Sequence, residues 1–344
     1  MTWFEELMGF EERSPDQVRK NISNDGETLT SHINGKTLAC GRLETPSLAE
    51  LREDIRSVER GNGQLSVREV VSDVQKLHMD VSNAGSLFQV ASQFNLLEMA
   101  SPSAIPEHGV GIYEYDHTQG PACAIAAGAG TIYRNYFVPM RGQTGQTKNN
   151  QIDCLADLGT ALVNSNNRLW EMRNGYALAS ASGLREISNR LRASSENELD
   201  EFRKLIRVGI QRDTQVTLRD STHKVSQVYC SALPVAYSEH PSGLWEDFAR
   251  LVLEASYEAT ICAAILNAYR TGNNKVFLTL LGGGAFGNKI QWITDSIQRA
   301  LNLYKDWDVD AVIVSYGASN EHVRELVASC TSPTNNDENL NQPA

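Results

Sequence analysis

The alternation of strand and helix patterns in the last third of the sequence is the strongest constraint on the fold. Segments typical of strands at 224–229, 275–281 and 309–315 alternate with amphipathic segments at 244–268 and 289–304. Strands that are joined through helices require crossover connections, and these give a largely parallel or mixed sheet. The sequence therefore predicts an α/β fold.

Earlier parts of the chain carry weaker patterns. Alternation predicts strands at 65–71 and 76–82, and apolar residues at helical spacing predict a helix over 84–100. Further helices are predicted at 48–58, 152–163 and 183–210. These elements add strands and helices to the pattern of the last third.

The composition argues against several classes of function. The formal net charge is −11, from 31 basic and 42 acidic residues, and this charge opposes general binding to nucleic acids. No apolar run approaches the roughly 20 residues that span a bilayer, and the acidic N-terminus lacks the basic start of a secretory signal. The six cysteines and seven histidines lack metal-ligand spacing, so most cysteines are interpreted as small buried side chains. We expect a cytoplasmic protein with no metal, cofactor, membrane or nucleic-acid partner.

A glycine-rich loop, Gly282-Gly283-Gly284-Ala285-Phe286-Gly287-Asn288, follows the predicted strand at 275–281 and precedes a helix. Ligands of open α/β sheets bind at the carboxyl ends of strands. Glycines let backbone N–H groups approach a diphosphate closely, and a helix N-terminus favours the same anion. The loop is either a diphosphate site, with Phe286 shielding the phosphates, or a plain tight turn.

A second candidate ligand loop lies within 80–89, where a predicted strand again meets a predicted helix. Its amide side chain and exposed backbone suit a ligand, although Asn83 is equally an N-cap. The predicted contacts in this loop are Asn83, Ala84, Gly85, Phe88 and Gln89.

Together, the two loops and the order of the elements resemble the macrodomain superfamily. In macrodomains a strand ending in Asn-Ala-Ala-Asn precedes the first ligand loop, and a later strand runs into a Gly-x-x-Gly diphosphate loop. Residues 80–85 resemble the first feature, and 223–229, the helix bearing Tyr257 and 276–287 resemble the later ones in order. The resemblance covers roughly 65–100 and 220–318.

The resemblance implies a three-layer α/β macrodomain with a mixed sheet, which binds ADP-ribose between the two loops. It places the macrodomain at 61–330, with a large, mainly helical insertion at about 101–219. An N-terminal helical extension at 1–60 and a disordered tail at 331–344 complete the expected organisation. Poly(ADP-ribose) glycohydrolases are similarly elaborated, as are effector-type hydrolases that remove ADP-ribose from arginine of ubiquitin. The insertion looks most like the latter group.

The first loop departs from the glycohydrolases, because it lacks the paired glutamates that follow their glycines. Cleavage at C1 of the ribose needs a positioned water and stabilisation of an oxocarbenium ion, commonly from carboxylates. The candidate catalytic residues are therefore Asp116, Asp153 and Glu114, each of which is alternatively a cap or a surface residue. Thr118, Gln119 and Gly120 beside Asp116 are predicted ligand contacts.

These features predict an ADP-ribosyl hydrolase that acts on a modified protein side chain, more on arginine than on a carboxylate. Its partners would be ADP-ribose and an ADP-ribosylated protein such as ubiquitin. The alternative is a non-catalytic ADP-ribose reader, which the missing loop carboxylate favours. A doubly wound enzyme for another nucleotide is a third reading, but no Gly-x-Gly-x-x-Gly follows the first strand and no Walker sequence is present.

Overall fold

A computed structural model describes residues 1–61 and 63–331. Its helices are α1 (Trp3–Met8), α2 (Pro15–Asn21), α3 (Leu48–Arg56), α4 (Val74–Met79), α5 (Gln119–Ala126), α6 (Gly128–Tyr136), α7 (Ala156–Ala161), α8 (Ala181–Ala193), α9 (Glu196–Lys204), α10 (Ser242–Thr271), α11 (Ile290–Leu303) and α12 (Glu321–Thr331). Its strands are β1 (Ile22–Asn24), β2 (Thr28–Ser31), β3 (Thr37–Ala39), β4 (Arg42–Glu44), β5 (Ser66–Val71), β6 (Leu87–Ala91), β7 (Pro139–Met140), β8 (Gln143–Thr144), β9 (Trp170–Arg173), β10 (Tyr176–Ala179), β11 (Gly209–Gln215), β12 (Lys224–Cys230), β13 (Lys275–Leu278) and β14 (Asp310–Ser315).

A seven-stranded mixed sheet in the order β4-β11-β12-β6-β13-β14-β5 forms the centre of the molecule. The strands from β12 to β5 pair in parallel, whereas β11 is antiparallel to both β12 and β4. Parallel strands need crossover connections, which the helices between them supply. The carboxyl ends of five strands therefore meet at one edge of the sheet.

Helices cover both faces of this sheet, as successive residues of β6 show. Phe88 is fully buried and its ring stacks on His78 of α4, with 3.7 Å between the ring centroids. The next residue, Gln89, points to the other face and donates a hydrogen bond to Thr260 of α10 at 2.9 Å. Because side chains alternate along a strand, these contacts place α4 and α10 on opposite faces. The predicted three-layer α/β architecture with a mixed sheet is confirmed.

Local sequence signals define the ends of several helices. Ser47 caps α3, since its hydroxyl accepts from the Glu50 N–H while the Glu50 carboxylate accepts from the Ser47 N–H at 2.7 Å. The long helix α10 ends at Gly272, whose φ of 76° is the left-handed conformation that glycine adopts without strain. Between such ends, α10 is long and apolar enough to span a membrane, but 83% of its most apolar window is buried inside the fold. It is therefore the central core helix.

The structure confirms the predicted strands of the last third and the strand at 65–71, and corrects two elements between them. Residues predicted as a strand at 76–82 lie mostly in helix α4, and those predicted as a helix over 84–100 contain the central strand β6. Strand β6 is buried on both faces, so its side chains are apolar without alternation. A doubly buried strand cannot be distinguished from a buried helix by periodicity alone.

The segments outside the last third are less helical than expected. Residues 1–60 include a three-stranded sheet, β1-β2-β3, and the edge strand β4 of the main sheet. The expected insertion at 101–219 contains β11, which belongs to the main sheet, so its helices and hairpins end before that strand. The predicted tail at 331–344 lies outside the described residues except for Thr331. Five of the cysteines are buried and Cys330 is partly buried, as expected for small core side chains.

Candidate active site

The cleft at the carboxyl edge of the sheet exists because β6 and β13 separate. The two strands pair only at Val276 with Leu87 and at Phe277 with Phe88. Beyond these pairs the side chain of Gln119 takes the place of a neighbouring strand. Its Oε1 accepts from the Ala91 N–H and its Nε2 donates to the Gln89 carbonyl, both at 2.8 Å. Divergence of adjacent strands at this edge is where α/β sheets bind their ligands.

The cleft has an inner and an outer part. The inner part encloses about 740 Å³ including its mouth, within the roughly 300–1,000 Å³ typical of small-molecule sites. Residues within 91–100, 116–121 and 279–286 line it, together with Tyr176 and Tyr237. The outer part shares Asp116, Thr118, Gln119 and Thr279 with the inner one, so the two are continuous.

The glycine loop presents free backbone donors to the inner part. No described residue accepts a hydrogen bond from the N–H groups of Gly284, Ala285 or Phe286. A Cβ added at Gly284 would meet no atom within 4 Å, so the space in front of this backbone is open. Neighbouring free N–H groups form a nest that favours an anion such as a diphosphate.

Two side chains hold the glycine loop in this conformation. The Tyr257 hydroxyl donates to the Thr279 carbonyl at 2.7 Å and accepts from the Leu281 N–H at 2.8 Å. The amide of Asn288 donates to the Leu233 carbonyl at 2.9 Å behind the loop. Because both contacts are buried, the nest is already formed without a ligand.

Of the loop residues that the sequence nominated, Gly282, Gly284, Ala285 and Phe286 line the cleft. Gly283 lies against Ile293 instead, since an added Cβ would be 3.1 Å from its Cδ1. Gly287 turns the chain at a φ of 71°, and Asn288 is buried behind the loop. These last three residues shape the loop and are not placed to contact a ligand.

Glu98 is a buried carboxyl group in the wall of the inner part. Its backbone N–H donates to the Tyr113 hydroxyl at 3.2 Å, while its Oε1 is buried without a hydrogen-bond partner among the described residues. Burial raises the pKa of Glu98 to about 8, against the opposing influence of Arg134. The Glu98 side chain is therefore an acid that carries its proton near neutral pH.

Glycine at position 120 makes room for this carboxyl group. A Cβ at Gly120 would lie 2.2 Å from Oε2 of Glu98 and 2.1 Å from the Ala91 carbonyl oxygen. The sequence reasoning missed Glu98. The available signal was a single acid within the apolar run 94–99, where burial of an unpaired charge needs a reason.

Asp116 lies between the two parts of the cleft and lines both. Its Oδ1 accepts from the Thr118 N–H at 2.9 Å, which fixes the turn into α5. Thr118, Gln119 and Gly120 also line the cleft, although the amide of Gln119 is engaged by β6. The structure thus brings Asp116 and Glu98 to one site.

The other two predicted carboxylates have different surroundings. Glu114 lines the outer part, but its Oε2 accepts from the Trp3 N–H at 2.9 Å and thereby holds α1 in place. Asp153 lies in a separate groove beside β9, where burial raises its pKa and its Oδ1 accepts from the Leu155 N–H. Asp153 is therefore not a residue of this cleft.

The prediction that 83–89 forms a ligand loop beside the glycine loop is wrong, because this segment enters β6 and does not leave it. Asn83 contacts Lys275 at the amino end of β13, and the Gly85 N–H donates to the Lys224 carbonyl at the start of β12. Asn83, Ala84 and Gly85 thus lie at the opposite edge of the sheet. Phe88 and Gln89 are buried in the two core layers, away from the cleft.

The outer part of the cleft has flat apolar walls and one further carboxylate. Trp3, Val74 and Tyr316 contribute the walls, and Asp73 stands at the amino end of α4. The Asp73 carboxylate accepts from the Gln75 N–H at 2.7 Å. Such walls suit a purine ring, and a free carboxylate lone pair suits its exocyclic amine. The sequence reasoning did not find these residues, since they come from three distant segments.

No lysine or arginine among the described residues lines either part of the cleft. The described residues also contain no group of three His, Cys, Asp or Glu side chains that would hold a metal ion. An anionic ligand must therefore be held here by backbone donors, and the side chains supply negative charge.

No protein-family model matches the sequence, and no curated protein matches it. Among solved structures, it is similar to poly(ADP-ribose) glycohydrolase from Deinococcus radiodurans in complex with ADP-ribose, at 10% identity and a TM-score of 0.44. That alignment covers 84% of this chain and 94% of the other. The glycohydrolase from Thermomonospora curvata, bound to the inhibitor ADP-HPD, aligns at 11% identity and a TM-score of 0.45, over 91% and 95% of the two chains. At this level of similarity, the function has to be argued from the chemistry of the cleft.

Proposed function

We propose that the chain hydrolyses the bond between ADP-ribose and a protein side chain, and that this side chain is arginine. The observation that carries the proposal is the order of groups along one cleft. Apolar walls with a carboxylate come first, then a nest of free backbone N–H groups, and then the Glu98 and Asp116 carboxyl groups. Adenine, diphosphate and distal ribose follow one another in the same order in ADP-ribose.

The two carboxyl groups supply the roles that glycoside hydrolysis requires. Glu98, protonated near neutral pH, donates its proton to the guanidine nitrogen as the C1–N bond breaks. Asp116 orients the attacking water and accepts its proton while the oxygen bonds to C1 of the ribose. The products are ADP-ribose and free arginine, and the proton returns from Asp116 to Glu98 through solvent.

The charge of the cleft favours a modified arginine over poly(ADP-ribose). A polymer carries a second diphosphate beyond the bond to be cleaved, which needs cationic groups at the mouth. No lysine or arginine lines the cleft, and the whole chain carries a net charge of −11. An arginine side chain instead brings a cation to the carboxylates. Ubiquitin is the carrier protein that the sequence resemblance suggests.

The test is a hydrolysis assay with two substrates at equal ADP-ribose content. We expect release of free ADP-ribose from an arginine-modified protein, at a kcat/KM at least about tenfold above that for poly(ADP-ribose). Mass spectrometry of the product protein must show unmodified arginine. Tight binding of ADP-ribose without turnover would replace this proposal with the reader function, and preference for the polymer would overturn the choice of arginine.

A further inference from the structure

We infer that Tyr176, Tyr237 and Phe286 form an acceptor subsite, which binds the guanidinium of the modified arginine opposite Asp116 and Glu98. This inference rests on the proposed function and names the residues that select its substrate. Three different segments supply the rings: Tyr176 begins β10, Tyr237 follows β12, and Phe286 belongs to the glycine loop.

The three rings pack into one aromatic wall of the inner cleft. Ring centroids are 5.1 Å apart for Tyr176 and Tyr237, 5.3 Å for Tyr176 and Phe286, and 5.5 Å for Tyr237 and Phe286. All three residues line the cleft, and Tyr237 at its outer side is 38% exposed. A guanidinium stacks favourably on such ring faces, because their quadrupoles present negative charge.

Tyr176 ties this wall to the segment that carries Glu98. Its hydroxyl donates to the Met99 carbonyl at 2.5 Å, one residue after Glu98. Burial raises the pKa of Tyr176, and Tyr237 followed by Glu98 and Asp116 adds to the rise. The hydroxyl is therefore a neutral donor, and the two carboxyl groups act on the same end of the cleft as the aromatic wall.

The subsite has an unsatisfied acceptor that a cation would meet. Oε1 of Glu98 is buried without a partner among the described residues, in the wall that continues to Met99. A guanidinium offers five N–H donors in a planar fork, enough to reach a carboxyl oxygen while its face lies on an aromatic ring. An uncharged acceptor such as a serine oxygen or a ribose uses neither feature.

The test compares Tyr237→Ala with Tyr237→Phe, which keeps the ring and serves as the control. Substrates are one peptide sequence carrying ADP-ribose on arginine or on serine. Tyr237→Ala should raise KM for the arginine-linked peptide about fivefold more than for the serine-linked one, the factor that about 1 kcal/mol of cation–π attraction gives. Tyr237→Phe should keep the wild-type ratio. Equal effects on both peptides would overturn the subsite.

A binding measurement separates the subsite from the proposed hydrolysis. Agmatine, an alkylguanidinium without ADP-ribose, is titrated into protein saturated with ADP-ribose. We expect millimolar binding that Tyr237→Ala weakens and Tyr237→Phe preserves, whether or not the chain turns over any substrate. Agmatine binding that is absent, or that is identical in Tyr237→Ala, would overturn the subsite while leaving the hydrolysis assay to decide the function.

Discussion

Glu98 combines two properties that rarely occur together in a side chain without function. It is 3% exposed, and one of its oxygens has no hydrogen-bond partner among the described residues. An unsatisfied buried acceptor costs about 1–3 kcal/mol, which a folded protein retains mainly at functional positions. The same burial raises the pKa of Glu98 to about 8, which suits a general acid near neutral pH.

Replacing Glu98→Gln keeps the shape of the side chain and removes its proton. We expect kcat to fall by about 10²–10⁴, because proton donation to the leaving nitrogen is lost. ADP-ribose affinity should change less than about twofold, since the nucleotide is held by the glycine loop and the outer walls. In the wild type, the rate should fall as the pH rises through about 8, where Glu98 loses its proton.

The pH profile of kcat/KM for Glu98→Gln provides the check. The decline above pH 8 should be absent from the residual activity of this variant. A variant that retains both the wild-type rate and the wild-type decline would show that the proton comes from another group.

Asp116 and Asp153 offer a matched pair at the same scale. Both came from the sequence as catalytic candidates, but only Asp116 lines the cleft. Asp116→Asn should reduce kcat by about 10²-fold or more, because the attacking water loses its base. Asp153→Asn should keep turnover within about twofold. Steady-state kinetics of the two variants decide the point, and the reverse ranking would move the chemistry to the groove beside β9.

At the scale of elements, strand β6 explains both the success and the failure of the sequence prediction. The last third reads correctly because its strands and amphipathic helices have distinct periods. Over 84–100, burial on both faces removed that distinction, and a strand was interpreted as a helix. The error reversed the direction in which the chain crosses the sheet, so 83–89 was placed at the wrong edge and 92–100 was overlooked.

The junction of α5 with β6 should tolerate no added volume. In Gly120→Ala the methyl group would meet the Ala91 carbonyl oxygen and the Glu98 carboxyl group at 2.1 and 2.2 Å. One of these contacts is backbone, so α5 has to shift, and we expect a loss of about 1–3 kcal/mol in unfolding free energy. Turnover should fall as well, because Glu98 is displaced.

Gly243→Ala is the control for this substitution. A Cβ at Gly243, in the first turn of α10, meets nothing within 4 Å, so its stability should be unchanged or slightly higher. Urea denaturation of the two variants gives the comparison. Equal stability of Gly120→Ala and the wild type would mean that the packing around Glu98 is looser than described.

For the molecule as a whole, the sequence predicted the layers of the fold better than the site. The glycine loop and Asp116 were found because each lies in a local pattern: a strand–glycine–helix junction and a turn before small residues. Glu98, Asp73 and Tyr237 could not be found in this way. They come together only when α4, the segment after β6 and the segment after β12 reach the same edge of the sheet.

The central claim is that ADP-ribose binds in this cleft with its diphosphate on the glycine loop, and calorimetric titration tests it directly. Gly284→Val places a side chain in the open space before the free N–H groups, where a Cβ meets no protein atom. Gly243→Val, where a Cβ also meets no protein atom, is the matched control. We predict that the wild type and Gly243→Val bind ADP-ribose alike, and that Gly284→Val binds at least about tenfold more weakly without a change in melting temperature. Wild-type affinity in Gly284→Val, or no binding by the wild type, would contradict the account.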